Sequence, residues 1–235
     1  MYKDKKILAV IPARGGSKGL PRKNIKLFLD RPLIAWTIEA AKASKYIDKT
    51  IVSTDDQNIA KVSRRYGAEI PFLRPKRLSR DSSSSEDVAI HSIEYFRNKG
   101  IDFDILILLQ PTSPLRKHVD IDNAIKTLFR KKAKAVVSVN EAVHTPLWTN
   151  TLPLDGCMKS FLSSKVINKN RQSLPKYFQL NGAIFISFID NFIRKRSFYV
   201  NRTFAYIMPK ERSVDIDDII DFKLAEILLR DSLKR

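Results

Sequence analysis

Apolar positions along the chain fall into two alternating rhythms. Short apolar runs bounded by turn residues predict strands over Lys6–Ile11, Lys49–Ser53, Ile70–Leu73, Asp104–Leu109, Ala135–Val139, Gly182–Ser187 and Thr203–Met208. Between them, apolar residues recur every three or four positions. They predict helices over Pro32–Ser44, Asp56–Tyr66, Glu86–Asn98, Asp120–Lys131 and Asp217–Arg230. The run from Asp104 to Leu109 is apolar on both faces, as a central parallel strand covered by helices on either side requires. Strands alternating with helices argue an α/β fold with a mostly parallel sheet. Ser83-Ser84-Ser85-Glu86 has the spacing of a capping box opening the third helix. Asp55 is expected to cap the second.

The rhythm stops between about Glu141 and Leu180. That stretch holds three prolines, Pro146, Pro153 and Pro175, and no clear periodicity. A segment this long without regular structure is either functional or an arm for association. No repeat or linker divides the chain. Residues 1–235 therefore read as one domain, with residues 141–180 as an inserted arm.

A hydrophobic fraction of 43% in 235 residues is enough for a sizeable core. No apolar run approaches the roughly 20 residues that cross a bilayer. Pro12 and Arg14 interrupt the first run too early for a signal peptide. The single cysteine, Cys157, excludes an internal disulfide and suits a cytoplasmic protein. A net charge of +18 raises nucleic acid as a partner. The cations are scattered, however, as in Arg130-Lys131-Lys132 and Arg194-Lys195-Arg196, without interleaved aromatic residues. No zinc, helix-turn-helix or RNA-recognition signature is present. The expectation is anionic small substrates, no membrane and no specific nucleic acid, with a basic nucleic-acid-binding protein as the alternative of a different class.

The first strand empties into Arg14-Gly-Gly-Ser-Lys-Gly-Leu-Pro-Arg-Lys-Asn24, a loop with three glycines and four cations. Glycines let a backbone bend sharply and approach a ligand closely. Loop amides beside Arg and Lys suit a polyphosphate. Further along, Asp215 and Asp217 form an Asp-x-Asp pair. In an extended segment residues i and i+2 share a face, so both carboxylates can hold one Mg²⁺ (or Mn²⁺). The same stretch also reads as a helix start with Asp217 as its cap. His91, His118 and His144 lack metal-ligand spacing, and His91 is expected to be structural.

Four segments in order resemble the acylneuraminate cytidylyltransferase family. They are the glycine loop, Leu109-Gln-Pro-Thr-Ser-Pro-Leu-Arg116, Asn181-Gly-Ala-Ile-Phe-Ile186 and Ser213-Val-Asp-Ile-Asp217. The resemblance runs from about Lys6 to about Leu229. It implies a Rossmann-like, doubly wound sheet with a small dimerisation subdomain. The implied reaction joins CMP from CTP to the anomeric hydroxyl of a nonulosonic (sialic-type) acid and releases pyrophosphate, in a cytoplasmic homodimer. Another sugar, such as 3-deoxy-octulosonate or a sugar phosphate, is the nearest alternative. By resemblance, Arg14, Lys18, Lys23 and Asp217 are catalytic. Arg14, Gly15, Gly16, Ser17, Lys18, Lys23, Asn24, Arg74 and Ser85 bind nucleotide. Gln110, Trp148, Arg171, Asn181 and Phe185 meet the acceptor, and Asp215 and Asp217 hold the metal.

The chain departs from the family pattern at two places, both on the acceptor side. Trp148 stands where some sialic-acid enzymes have lysine. Gln179-Leu180 stand where some have Arg-Pro. Exchanging cations for an indole suggests a less polar sugar, such as a legionaminic or pseudaminic acid, beside N-acetylneuraminate itself. Trp148 is expected to line or flank the acceptor pocket.

Overall fold

A computed structural model describes residues 1–16 and 19–234. Ser17, Lys18 and Arg235 lie outside the described residues, and so do the roles expected of Ser17 and Lys18. Strand β1 (Ile7–Pro12) is followed by a short hairpin, β2 (Leu27–Phe28) and β3 (Arg31–Pro32), and by helix α1 (Leu33–Lys42). Next come β4 (Lys49–Ser53), α2 (Gln57–Arg65), α3 (Ser85–Arg97), β5 (Ile105–Leu108) and α4 (His118–Arg130). The chain closes with β6 (Ala135–Glu141), β7 (Phe178–Phe188), α5 (Ile189–Lys195), β8 (Thr203–Ile207) and α6 (Ile219–Leu233).

Six strands form the main sheet in the order β4-β1-β5-β7-β6-β8. All neighbours are parallel except β7, which runs antiparallel to β5 and β6. The pleat sends alternate side chains to opposite faces. Ile7, Ala9 and Ile11 of β1 therefore pack against α1 and α4, while Leu8 and Val10 pack against α3 and α5. This is why β1 and β5 are apolar throughout. A third cluster joins Phe222, Ala225 and Leu229 of α6 to Leu20, Phe28 and Leu33, tying the chain's last helix to its first loop.

Several expectations are corrected. Residues Ile70–Leu73 form no ladder; isolated bridges join only Thr54 to Leu73 and, just before the segment, Ile51 to Glu69, because Pro71 has no N–H to give a ladder. The third helix is capped one residue later than predicted. Ser84 accepts the Asp87 N–H at 3.0 Å, so Ser85 opens the helix. Asp56, not Asp55, caps α2, accepting the N–H groups of Asn58 at 2.7 Å and Ile59 at 3.0 Å. Helix α5 was not expected, and β7 begins four residues before Gly182. After a bulge between Val137 and Val139, β6 and β7 pair again as far as Glu141 and Phe178. This ribbon carries residues 142–177 away from the sheet, with Thr145 and Val166 as their buried members. His91 is partly buried edge-on against Phe72. Among the described residues no helix is long and apolar enough to cross a membrane.

One partly buried ion pair anchors the segment that leads into α6. Asp120, at the start of α4, has no exposed surface. It accepts from Arg212 Nε at 2.9 Å, Arg212 Nη2 at 2.8 Å and the Tyr206 hydroxyl at 3.2 Å. Burial and Asp120 together push the Tyr206 hydroxyl up to about 12, so it serves as a neutral donor. Removing one partner of such a pair strands the other charge. Asp120→Asn should therefore destabilise the chain by about 3 kcal/mol, seen as a lower urea midpoint at unchanged m value.

Candidate active site

Open α/β sheets bind ligands beyond the carboxyl ends of their strands. At that edge, β1 ends in Pro12 and Ala13, whose N–H is held by the Ser53 carbonyl at 2.9 Å. The glycine loop then turns back over the sheet. Gly15 donates its N–H to Asp55 Oδ1 at 3.0 Å. That amide is held by a carboxylate in this structure. Asn24 Nδ2 donates to the Arg14 carbonyl at 3.1 Å, closing the loop on itself. A Cβ at Gly16 would meet nothing within 4 Å, so the backbone there is open.

A cleft of about 500 Å³ lies under this loop. Its lining includes Arg14, Lys23, Asn24, Arg74, Ser85, Gln110, Asp215 and Asp217, eight of the residues singled out in the sequence. Lys23 is not a solvated surface lysine. Its side chain is 11% exposed and its Nζ donates to the Ile216 carbonyl, with Asp217 Oδ1 at 3.6 Å. Arg74 is buried, with Nη2 donating to the Ser53 carbonyl at 2.9 Å. Burial lowers its pKa, Asp55 raises it, and Arg14 lowers it further. Arg14 reaches across the mouth of the cleft, where its Nη1 donates to Asp81 Oδ1 at 2.7 Å.

The two aspartates differ in environment. Asp218, not Asp217, caps α6, accepting from Ile220 N at 2.7 Å and Asp221 N at 3.1 Å. The Asp217 carboxylate is thereby left 86% exposed at the cleft. Asp215 is largely buried, and burial pushes its carboxyl above the usual range, with Thr112 and Lys23 pulling back down and Asp217 and Asp221 adding to the rise. Its Oδ1 is buried without a hydrogen-bond partner among the described residues. Leaving an ionised oxygen dry and unpaired is costly unless something fills the place. A buried, unpaired hard oxygen beside a second, exposed carboxylate fits a small divalent cation that completes its shell with phosphate and water. No cluster of three or more His, Cys, Asp or Glu suited to a metal occurs among the described residues. An ion held by these two carboxylates would complete its shell with oxygens of substrate and solvent.

Beneath these carboxylates lies Arg116, 2% exposed. It donates to the Ala183 carbonyl at 2.7 Å, the Gln110 carbonyl at 3.2 Å and Thr37 Oγ1 at 2.7 Å. Burial lowers its pKa, while Asp120 and then Asp215 raise it. Arg116 thereby ties the Gln110 turn to the middle of β7. Ile216 N–H donates to the Thr112 carbonyl at 2.9 Å, fixing the aspartate segment to the same turn.

Four residues assigned to the acceptor do not line this cleft, and one of them, Asn181, lines the cavity beside it. Asn181 is buried and fully engaged, with Oδ1 accepting from Ser138 Oγ at 2.6 Å and Nδ2 donating to Ser213 Oγ at 3.0 Å. It positions β7 and the aspartate segment, and has no amide group left for a sugar. Phe185 packs 5.4 Å from Phe198 in the apolar layer beneath α3 and α5, because its place in β7 points it to that face. Trp148 and Arg171 sit on separate 3-10 turns of the 142–177 arm and line neither this cleft nor the cavity beside it. Within one chain, the ribbon carries both away from the cleft. Asp81, Thr112 and Gly182 were not singled out as site residues. Thr112 and Gly182 fall within two of the four matching segments, whereas no pattern in sequence marks Asp81, which loop docking brings here.

A cytidylyltransferase family model matches residues 8–232. The chain belongs to the cytidylyltransferase family. It is a nucleotidyltransferase, and the nucleic-acid-binding alternative is not favoured. It is 40% identical over 222 residues to an N-acylneuraminate cytidylyltransferase of Escherichia coli; the match covers 94% of this chain and 51%, about half, of that relative. It is 38% identical to a CMP-N,N'-diacetyllegionaminic acid synthase of Legionella pneumophila, over 95% of this chain and 96% of the relative. Among solved structures, a CMP:2-keto-3-deoxy-manno-octonic acid synthetase complexed with CTP superposes with a TM-score of 0.67 at 17% identity, over 97% of this chain and 99% of the other. That likeness shows the fold, an α/β cytidylyltransferase sheet of the Rossmann-like kind.

Proposed function

We propose that the chain transfers CMP from CTP to the anomeric hydroxyl of a nonulosonic acid and releases pyrophosphate. The observation that carries this reading is the cleft itself, where Arg14 and Lys23 face Asp215 and Asp217 at the carboxyl edge of the sheet. Cations suit a triphosphate, and the two carboxylates suit Mg²⁺ (or Mn²⁺). When bound, that ion would neutralise charge on the phosphates. Asp215 and Asp217 would hold it. Lys23, fixed by the Ile216 carbonyl, would meet the phosphates from below, and Arg14 would meet them from the loop. The acceptor oxygen bonds to the α-phosphorus as the bond to the bridging oxygen breaks, and pyrophosphate leaves. On this reading Asp217, the exposed carboxylate, would take the hydroxyl proton. Preorganised charge of this kind acts chiefly by stabilising the transition state. Pyrophosphate release with CTP and a panel of nonulosonates tests the reading; release with none of them, or equal release with every nucleoside triphosphate, overturns it.

The homodimer belongs to the same proposal. The 142–177 arm exposes Leu152, Leu154, Met158 and Ile167 to solvent, and α6 exposes Ile220 and Ile227. Apolar surface of this extent favours cover by a partner. A second copy would also give Trp148 and Arg171 a cleft to face. An exposed free thiol at Cys157 accords with the reducing cytoplasm.

The Arg14–Asp81 pair has a kinetic consequence. Asp81 pairs with the guanidinium that, on this reading, would meet the triphosphate. Exposed pairs of this kind are worth about 0.2–1 kcal/mol. Asp81→Asn should therefore lower the KM for CTP by about two- to fivefold, with the benefit shrinking at high salt. A raised KM would show that Asp81 assists binding instead.

A further inference from the structure

The turn that closes the glycine loop has a second face. Lys23 and Asn24 line the nucleotide cleft, whereas Arg22, Ile25 and Lys26 of the same turn wall a separate hollow of about 520 Å³. Helix α2 supplies the opposite wall through Asn58, Lys61 and Arg65. Those positions recur at i, i+3 and i+7 and so share one face of the helix. The hollow has no lining residue in common with the cleft.

Its charge is one-sided. Arg22, Lys26, Lys61 and Arg65 converge on it, and among the described residues no aspartate or glutamate lines it. Two cations of the cleft are balanced, Arg14 by Asp81 and Lys23 by Asp217. None of the four here has an ion pair among the described residues. Lys26 Nζ lies 5.8 Å from the centre of the Phe222 ring. Local stability works against this arrangement at two points. Lys61 and Arg65 are like charges one helical turn apart. Arg22 is held at φ of 53°, a left-handed conformation that glycine or asparagine adopts more readily. Yet these are the residue types a polyanion needs. Guanidinium forks match phosphate oxygens two at a time, and ammonium groups add point charge.

We propose that this hollow is a second anion site, which takes a small polyphosphate such as inorganic pyrophosphate while nucleotide occupies the cleft. The site lies outside the transfer chemistry and does not depend on it. Because one turn walls both spaces, an anion here would engage Arg22 and Lys26 from behind the turn that carries Lys23. A small anion is favoured over a nucleic-acid strand because the cations converge on one hollow instead of tracking a groove. No aromatic side chain lines it, among the described residues, for a base to stack on.

Calorimetric titration of pyrophosphate into the full-length chain tests this, with the cleft saturated by a non-hydrolysable CTP analogue. The chains are wild type, Lys61→Gln/Arg65→Gln and Arg22→Asn. Lys61 and Arg65 are exposed, and asparagine suits the backbone at position 22, so neither variant should melt lower than the wild type. The wild type should bind one pyrophosphate per chain beyond the analogue. Each variant should bind it about tenfold more weakly or worse, and Lys61→Gln/Arg65→Gln should keep the analogue's own Kd. Equal pyrophosphate affinity in all three chains, or no binding to the wild type, overturns the proposal. So does sulfate that binds as tightly as pyrophosphate, which would reduce the hollow to a diffuse charge patch. So does an RNA oligonucleotide that both exchanges release and pyrophosphate does not displace, which would assign the face to nucleic acid. Failure of the analogue to bind would instead count against the nucleotide cleft, and the difference between wild type and variants would still be read without it.

Discussion

Asp215→Asn should lower cytidylyl transfer by roughly a hundredfold, or about 3 kcal/mol of barrier, without unfolding the chain. The carboxylate is largely buried and its Oδ1 has no partner among the described residues. Burial penalises its ionised form, so its folded pKa lies above the unfolded value. A raised acid pKa means that stability is highest below the unfolded value, near 3.9, and is lost as the pH rises through the folded one. The amide escapes that penalty. At neutral pH the variant should therefore melt no lower than the wild type, and its stability should depend less on pH above about 4. Activity and stability should thus move in opposite directions, as expected of a group retained for its chemistry. The acid limb of the wild-type rate profile should also sit above the ordinary aspartate range, because protonation removes the metal-binding form. Full turnover in the variant, or in the presence of a chelator, would dismiss the metal role.

Gly182→Ala should be nearly as damaging. Gly182 has φ of +67°, and a Cβ there would come within 2.6 Å of Gln110 Oε1 and 3.0 Å of Asp215 Oδ2. Backbone strain alone should cost about 1–2 kcal/mol of stability. The Gln110 side chain can swing aside, but only by leaving the place it holds in the cleft, and Asp215 is pushed with it. Displacements near 1 Å can cost about a hundredfold in rate. The expected result is a modest fall in melting temperature with a tenfold or greater loss of kcat. A variant with wild-type kcat would show that neither Gln110 nor Asp215 needs its present position.

Much of this molecule was legible in the chain. Apolar runs of the right length placed β1, β4, β5, β6 and β8 to within a residue or two; for β1 and β5 this follows because a strand buried on both faces has little freedom to be anything else. Helices α1 to α4 and α6 followed from their periodicity. The glycine loop and the Asp-x-Asp pair were likewise visible, since the residue types that handle phosphate and a hard cation are few.

Contacts between distant segments decided the rest. The antiparallel course of β7 depends on a 36-residue excursion, residues 142–177, whose return direction no local pattern encodes. β7 engages Asn181 in a buried network and packs a partly buried Phe185 against Phe198, which no local pattern announces. The choice of Asp218 as helix cap, which frees Asp217, differs from its alternative by a single residue of register. Asp81 meets Arg14 across 67 positions, and Arg116 reaches the Ala183 carbonyl across 67 more. Residue type and periodicity act over a few neighbours and so determined the elements and the kind of chemistry. Which carboxylate is buried, which cation is paired and where a second cavity opens follow from packing between segments far apart in the chain, and only the folded structure decides them.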